Sequence, residues 1–110
     1  MTVERYQEMA RRTQAKDLSG EDRLSHAVFG LSSEAGEVAG ILQKKYQGHP
    51  VDVAHLVREL GDCLWMISEA CDALGVDMSW VMEVNILKLQ ERYPDGFSAV
   101  RSLHRKEGDT

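Results

Sequence analysis

Apolar residues recur at steps of three and four along most of the chain, which is the pattern of amphipathic α-helices. No strand-like alternation of any length interrupts this pattern, and the sequence contains no internal repeat or low-complexity tract. We therefore predict an all-α fold, a bundle of about four helices. The predicted helices cover residues 3 to 16, 20 to about 45, 53 to 74, and a last stretch that Asp77 or Ser79 caps and that ends before the turn at 94 to 96.

Capping and turn residues set the boundaries of the two central helices. Ser19, with Asp22 three residues later, resembles a capping-box start for the second helix, and Gly48 supplies its stop. Asp52 is placed to cap the third helix, which Gly75 ends. The chain is predicted to form a single domain over residues 1 to 100, followed by a polar C-terminal tail over residues 101 to 110.

The third predicted helix is apolar beyond a single stripe. Val57, Trp65, Met66 and Cys71 extend its hydrophobic surface to further faces, and such a helix needs neighbours on several sides. Since a small bundle offers few neighbours, we expect a second copy of the chain to cover this surface, in a homodimer or homotetramer.

Cys63 and Cys71 lie eight residues apart in the same predicted helix. At 1.5 Å per residue their Cα atoms are about 12 Å apart, which is too far for a disulfide. We expect two reduced, buried thiols.

Composition excludes several classes of function. The 110 residues carry a formal net charge of -5, which argues against a general affinity for nucleic acid. No apolar run approaches the roughly 20 residues that a membrane-spanning helix needs. The first residues contain no apolar signal-peptide core, so a cytoplasmic location without membrane attachment is expected.

Two pairs of acidic residues interrupt the apolar stripes. Glu34 and Glu37 lie on the second helix, Glu59 and Asp62 on the third, and the members of each pair are three residues apart and so share a helix face. Helices joined by a short turn usually pack antiparallel, which places the two pairs at similar heights. Each pair can be solvated helix surface, or the four carboxylates can converge on a cation.

A converged cluster favours a hard metal ion. Oxygen ligands suit Mg²⁺, with Mn²⁺ as a possible substitute, and without a cation the carboxylates would raise one another's pKa values. A di-iron or di-manganese bundle would use Glu-x-x-His pairs, which this sequence lacks. His55, one turn before Glu59, can support that carboxylate, although ordinary surface or cap roles are the default for His26, His49, His55 and His104.

Cations on the fourth helix suggest a wall for an anionic ligand. Asn85, Lys88 and Arg92 share one helix face by their spacing, and Lys44 precedes the Gly48 turn. No P-loop pattern is present. Beside a metal-loaded carboxylate cluster, these groups would form a phosphate-binding surface.

The sequence resembles the MazG-like nucleoside triphosphate pyrophosphohydrolases, all-α enzymes related to dimeric dUTPases and dCTP pyrophosphatases. The resemblance rests on "EAGE" followed by "ELGD", on "GDCLWMI" and on "NILKLQERYPDGF", and it extends from "YQEMARRT" to about Phe97. It implies Mg²⁺-dependent cleavage between the α and β phosphates of a nucleotide, giving a monophosphate and pyrophosphate.

The resemblance also implies roles for single residues. The metal would be held by Glu34, Glu37, Glu59 and Asp62, and one of the glutamates would activate water. Asn85, Lys88 and Arg92 would face the phosphates or sugar. Many relatives have an aromatic residue, often Tyr, where this chain has Met66, which puts a hydroxyl contact to the sugar in doubt. Trp65 can stack on a base or serve as a core aromatic, and Gln7 or Gln14 could read a base edge.

Two functions follow from these observations. The first is an enzyme that removes particular or non-standard nucleoside triphosphates from the nucleotide pool. The alternative is a non-catalytic helical module that binds a metal or another protein. The sequence leaves open the preferred base and sugar, the number of metal ions and the choice between dimer and tetramer.

Overall fold

The computed structural model describes residues 1 to 104. These residues form five α-helices and no named strand, which confirms the all-α prediction. The helices are α1 (Val3–Arg11), α2 (Gly20–Gln43), α3 (Val53–Leu74), α4 (Met78–Arg92) and α5 (Ala99–Leu103), with a 3₁₀ turn at Lys44–Gln47.

The predicted caps of α2 and α3 are confirmed. The Ser19 side chain accepts a hydrogen bond from the Asp22 backbone N–H at 3.1 Å, and Asp52 accepts one from the His55 N–H at 3.1 Å. Gly48 and Gly75 have φ values of 89° and 70°, the left-handed conformation that favours glycine at a helix end. The sequence thus fixes both ends of α3 and the start of α2 through local hydrogen bonds.

The first and fourth helices differ from their predicted bounds. α1 ends at Arg11 rather than at residue 16, because the Thr13 hydroxyl and backbone N–H both bond to the Ala10 carbonyl and turn the chain. α4 begins at Met78, so Ser79 lies inside its first turn and is not its cap.

α2 and α3 pack antiparallel along much of their length. His26 pairs with Glu69, Gly30 faces Met66, and Glu34 lies beside Asp62, so residue numbers rise on one helix as they fall on the other. The Met66 side chain occupies the space over Gly30 in which a larger side chain would stand. The prediction that the two acidic pairs lie at similar heights depends on this arrangement.

Polar side-chain contacts hold α1 against α3. Asp72 accepts hydrogen bonds from Gln7 Nε2 at 2.9 Å, from Arg11 Nη2 at 2.8 Å and from Gln14 Nε2 at 2.9 Å. Gln7 also donates to the Val76 carbonyl at 3.1 Å. A single carboxylate, whose side chain is only 10% exposed, therefore holds α1 and the segment after it against the C-terminal end of α3.

The described residues separate into two compact units, one over residues 1 to 78 and the other beginning at residue 79. The first contains α1 to α3. In the second, the Tyr93 and Phe97 rings contact each other at a centroid distance of 5.3 Å around the turn at Gly96. Residues 101 to 103 belong to α5, and residues 105 to 110 of the predicted tail lie outside the described residues. The single domain over 1 to 100 stays a prediction.

Both cysteines are free, as predicted, and Cys71 is buried while Cys63 is partly exposed. Burial raises the pKa of the Cys71 thiol, and the neighbouring charge of Asp72 raises it further. Within residues 1 to 104, no helix is long and apolar enough to cross a membrane.

Candidate metal centre

Three of the four predicted acidic residues come together between α2 and α3. Glu34, Glu59 and Asp62 each offer a carboxylate oxygen, and these three oxygens lie within 4.8 Å of one another. Glu34 and Glu59 are partly buried, while Asp62 is exposed. The antiparallel packing of two helices brings the group together, since Glu59 and Asp62 are three residues apart on α3 and Glu34 faces them from α2.

Negative charges of neighbouring carboxylates act on Glu34 in this cluster. A hydrogen bond to Glu59 is the main cause that raises the pKa of Glu34, followed by burial. The negative charges of Asp62 and Glu37 raise the Glu34 pKa as well.

Glu37 lies outside the group of three and is exposed. It follows Glu34 by one turn of α2, and its charge acts on Glu34. The structure thus brings together three of the four carboxylates, and the direct role of Glu37 stays a prediction.

His55 contacts the cluster from its own helix. The Nε2 atom of His55 lies 3.2 Å from Oε1 of Glu59, and the two residues are one turn apart on α3. Asp52 fixes the start of that turn by its bond to the His55 backbone. A histidine that holds a carboxylate in one orientation is a common support for a metal ligand.

Tyr6 is a neighbour of the cluster that the sequence analysis missed. Burial raises the pKa of its phenol, and the negative charge of Asp62 raises it further. The Tyr6 side chain comes from α1 and is within electrostatic range of the Asp62 carboxylate on α3. Because the residues between them number more than fifty, helical spacing gave no signal for this neighbour.

Met66 packs in the interface between α2 and α3. It is buried and fills the gap against Gly30 of α2. Trp65 is partly buried. Its indole N–H donates to the Thr13 hydroxyl at 2.8 Å and so links α3 to the segment after α1. Its predicted role in stacking on a base stays open.

The amide groups of Gln7 and Gln14 are already engaged. Gln7 Oε1 accepts from the Met78 N–H at 2.9 Å, while its Nε2 binds Asp72 and Val76. Gln14 bonds to Asp72 and accepts from Arg23 at 3.3 Å. Both are buried, so the suggestion that they could read a base edge is not supported, because these contacts occupy their polar atoms.

The predicted phosphate-facing residues lie on other elements. Asn85, Lys88 and Arg92 are on α4, in the second compact unit, and Lys44 is exposed at the start of the 3₁₀ turn. Their approach to the carboxylates stays a prediction.

Comparisons with known proteins address the same part of the chain. Residues 24–97 match the MazG nucleotide pyrophosphohydrolase domain family, and this range contains all four predicted acidic residues. The chain belongs to the MazG nucleotide pyrophosphohydrolase family. It is also similar to the Gene 37 protein of Mycobacterium phage L5, with 32% identity over 87 residues that cover 74% of this chain and 76% of that protein. No solved structure gave a significant match.

The donor set of this MazG chain fits a hard divalent cation. Three carboxylates supply oxygen ligands only, which is the preference of Mg²⁺ and Mn²⁺. A cation would also relieve the repulsion that raises the pKa of Glu34. The residues that would hold it are Glu34, Glu59 and Asp62.

Proposed function

We propose that this protein is a Mg²⁺-dependent nucleoside triphosphate pyrophosphohydrolase, which cleaves the bond between the α and β phosphates and releases a nucleoside monophosphate and pyrophosphate. The observation that carries the proposal is the cluster of Glu34, Glu59 and Asp62, with oxygens within 4.8 Å, in a chain of the MazG family. The same cluster on an unrelated helical protein would support metal binding alone.

The side chains divide into three roles. Glu34, Glu59 and Asp62 would hold the cation, with Glu37 beside them, and one of the glutamates would take the proton of the attacking water. Asn85, Lys88 and Arg92 would contact the phosphates or sugar, and Lys44 would add positive charge. His55 would keep Glu59 in the orientation that metal binding needs.

Bound Mg²⁺ supplies charge neutralisation for the triphosphate and lowers the pKa of water. The protein would contribute positioning: water adds across the α-β anhydride, the P–O bond to the departing pyrophosphate breaks, and a carboxylate accepts the proton. We also propose that the protein clears non-standard nucleotides from the nucleotide pool of the cytoplasm.

The experiment is incubation of the purified protein with a panel of canonical and modified deoxynucleoside and ribonucleoside triphosphates in the presence of Mg²⁺. The products are separated by ion-exchange chromatography. Monophosphate and pyrophosphate in equal amounts support the proposal, whereas orthophosphate and a diphosphate contradict the choice of bond.

The panel also tests the non-catalytic alternative. A ligand that binds only the folded protein raises the melting temperature by mass action. A rise with Mg²⁺, combined with no rise and no turnover for any nucleotide, would favour a metal-binding interaction module.

We further propose that the active form is a homo-oligomer, for which a dimer suffices. Four apolar residues of α3 follow helical spacing and remain exposed in the single chain: Val53 by 65%, Val57 by 60%, Leu60 by 50% and Leu64 by 48%. A solvated stripe of this kind is typical of a surface that another subunit covers.

Light scattering of Leu60→Glu beside the parent tests the assembly. The variant should have a lower molar mass than the parent at micromolar concentration, because a charge in an apolar interface has no partner. Gln43→Glu, an exposed polar position, is the charge-matched control and should assemble like the parent. A monomeric parent that is equally active on dilution would contradict the proposal.

A further inference from the structure

A pocket of about 620 Å³ lies where the segment between α1 and α2 meets the C-terminal end of α3. None of the clustered carboxylates lines it. Its volume is within the range of about 300 to 1,000 Å³ that is usual for small-molecule sites. The charged residues in its lining are Arg11, Lys16, Arg23, Asp72 and Asp77.

The negative charge of Asp72 is compensated within the fold. Both of its oxygens accept hydrogen bonds, one of them from the Arg11 guanidinium at 2.8 Å, and its side chain is only 10% exposed. Burial alone would raise the pKa of Asp72, but the bonds from Arg11, Gln14 and Gln7 together lower it. Arg11 and Asp72 therefore cancel each other as far as a ligand in the pocket is concerned.

Arg23 and Lys16 supply the remaining positive charge of the lining. Arg23 is held by two neutral acceptors, Gln14 Oε1 at 3.3 Å and the Ala15 carbonyl at 2.6 Å. Across residues 1 to 104, no acidic side chain lies within ion-pair distance of either cation. Arg23 is thus fixed in position with part of its guanidinium fork still able to donate.

Asp77 is the opposing charge in the lining, and it is exposed. Lys16, Arg23 and Asp77 together leave one net positive charge, so the attraction grows with the charge of the anion. An anion with two or more charges would gain from both cations, and the fork of an arginine matches the oxygens of a phosphate. The surrounding protein has a net charge of -5, so attraction of such an anion has to be local.

We propose that this pocket is a second ligand site, separate from the carboxylate cluster, which binds a small molecule with a multiply charged phosphate group. Lys16 and Arg23 make the contacts to the phosphate oxygens, and Asp77 weakens the binding by repulsion. The site needs no metal ion, because its positive charge comes from the protein.

The test is isothermal titration calorimetry of the full chain with inorganic pyrophosphate in EDTA. Without metal, the carboxylate cluster repels pyrophosphate, and variants of the pocket residues show how much of the remaining binding belongs to the pocket. Saturable binding is expected, and Lys16→Gln and Arg23→Gln should each weaken it by about tenfold or more, the usual loss for one charged hydrogen bond. Asp77→Asn should tighten it by a few fold.

Arg12→Gln is the matched control. Arg12 is exposed, pairs with Glu8 and does not line the pocket, so pyrophosphate affinity should stay within about twofold of the parent, the range of screened surface charges. Asp62→Asn should likewise bind pyrophosphate as the parent does. Since Lys16 makes no hydrogen bond to residues 1 to 104, its variant keeps the fold even if Arg23→Gln does not.

The outcomes decide the proposal. A parent that shows no saturable binding in EDTA, or a Lys16→Gln variant with unchanged affinity, would overturn it. A parallel titration with a nucleoside diphosphate identifies the ligand: equal affinity means that the phosphates alone are recognised, and tighter binding means that the pocket also takes a sugar or base.

Discussion

The two acidic regions of α3 are built in opposite ways. At one end, Glu59 and Asp62 meet Glu34, with His55 beside Glu59, and the pKa of Glu34 is raised. Farther along the same helix, Asp72 is surrounded by one guanidinium and two amides, and its pKa is lowered. Both regions contain carboxylates that are at least partly withdrawn from water.

The difference separates a structural carboxylate from a ligand-binding one. Asp72 finds its partners inside the chain and joins α1 to α3 through them. In the cluster, neighbouring carboxylates raise the pKa of Glu34 instead, and an external cation would relieve that repulsion. Partial burial of an acidic residue therefore does not show whether the residue is structural or ligand-binding until its hydrogen-bond donors are known.

The largest effect is expected from Asp62→Asn. The change keeps the size of the side chain and removes one charge from the cluster, so Mg²⁺-dependent pyrophosphate release should fall by at least roughly a hundredfold. The metal-free melting temperature should stay the same or rise, because a member of a repelling group is neutralised. Turnover equal to that of the parent would remove Asp62 from the site.

Asp72→Asn should have the opposite profile. An amide cannot accept from all three donors, so the free energy of unfolding should fall by about 2 kcal/mol, the cost of leaving buried donors unpaired. Turnover per folded molecule should stay near that of the parent. Urea denaturation monitored by circular dichroism measures the first quantity, and a stability loss below that of the Arg12→Gln control would show that the network contributes little.

His55→Ala should weaken metal binding more than it weakens the fold. Loss of the bond to Glu59 leaves that carboxylate free to rotate, and removal of such a support typically costs at least about tenfold in metal affinity. The Mg²⁺ concentration that gives half-maximal turnover should rise accordingly. His49→Ala, an exposed histidine outside the cluster, is the control, and equal behaviour of the two variants would exclude the supporting role.

The smallest effect is the dependence of stability on pH, and its sign differs between the two acidic regions. The lowered pKa of Asp72 means that its stabilisation is present above its unfolded pKa of about 3.9 and is lost as pH falls through the folded value. The raised pKa of Glu34 means that its destabilising charge appears as pH rises from about 4.3 through the folded value.

Metal-free unfolding of the parent, Asp72→Asn and Glu34→Gln between pH 3 and pH 7 checks these signs. The stability gap between the parent and Asp72→Asn should shrink toward low pH. Glu34→Gln should gain on the parent toward neutral pH. A stability difference from the parent that stays constant with pH in both variants would contradict the opposite pKa shifts of Asp72 and Glu34.

The helices and the acidic pairs were predictable because their signals are local. Ser19, Asp52 and Gly75 set helix ends through contacts within a few residues, and the three-residue spacing of Glu59 and Asp62 fixes their common face. The early end of α1 was missed because the side chain of Thr13 competes with the helix for the Ala10 carbonyl.

Neighbours from distant parts of the chain could not be predicted. Tyr6 lies near Asp62 and Gln7 bonds to Asp72 only because α1 crosses α3, and no periodicity encodes that crossing. The pair of half-exposed His26 with buried Glu69 was missed for the same reason, since it joins residues of two helices. Glu37 follows Glu34 by three residues, as Asp62 follows Glu59, yet it lies outside the group of three.

The most direct test of the carboxylate cluster is Mn²⁺ binding, measured by electron paramagnetic resonance of free Mn²⁺ during titration of the parent, Asp62→Asn and Asp72→Asn without nucleotide. The two substitutions remove the same charge from the same helix, so their net charges match. The account predicts saturable Mn²⁺ binding by the parent and by Asp72→Asn, and its loss or strong weakening in Asp62→Asn. Equal Mn²⁺ affinity in all three proteins would contradict it.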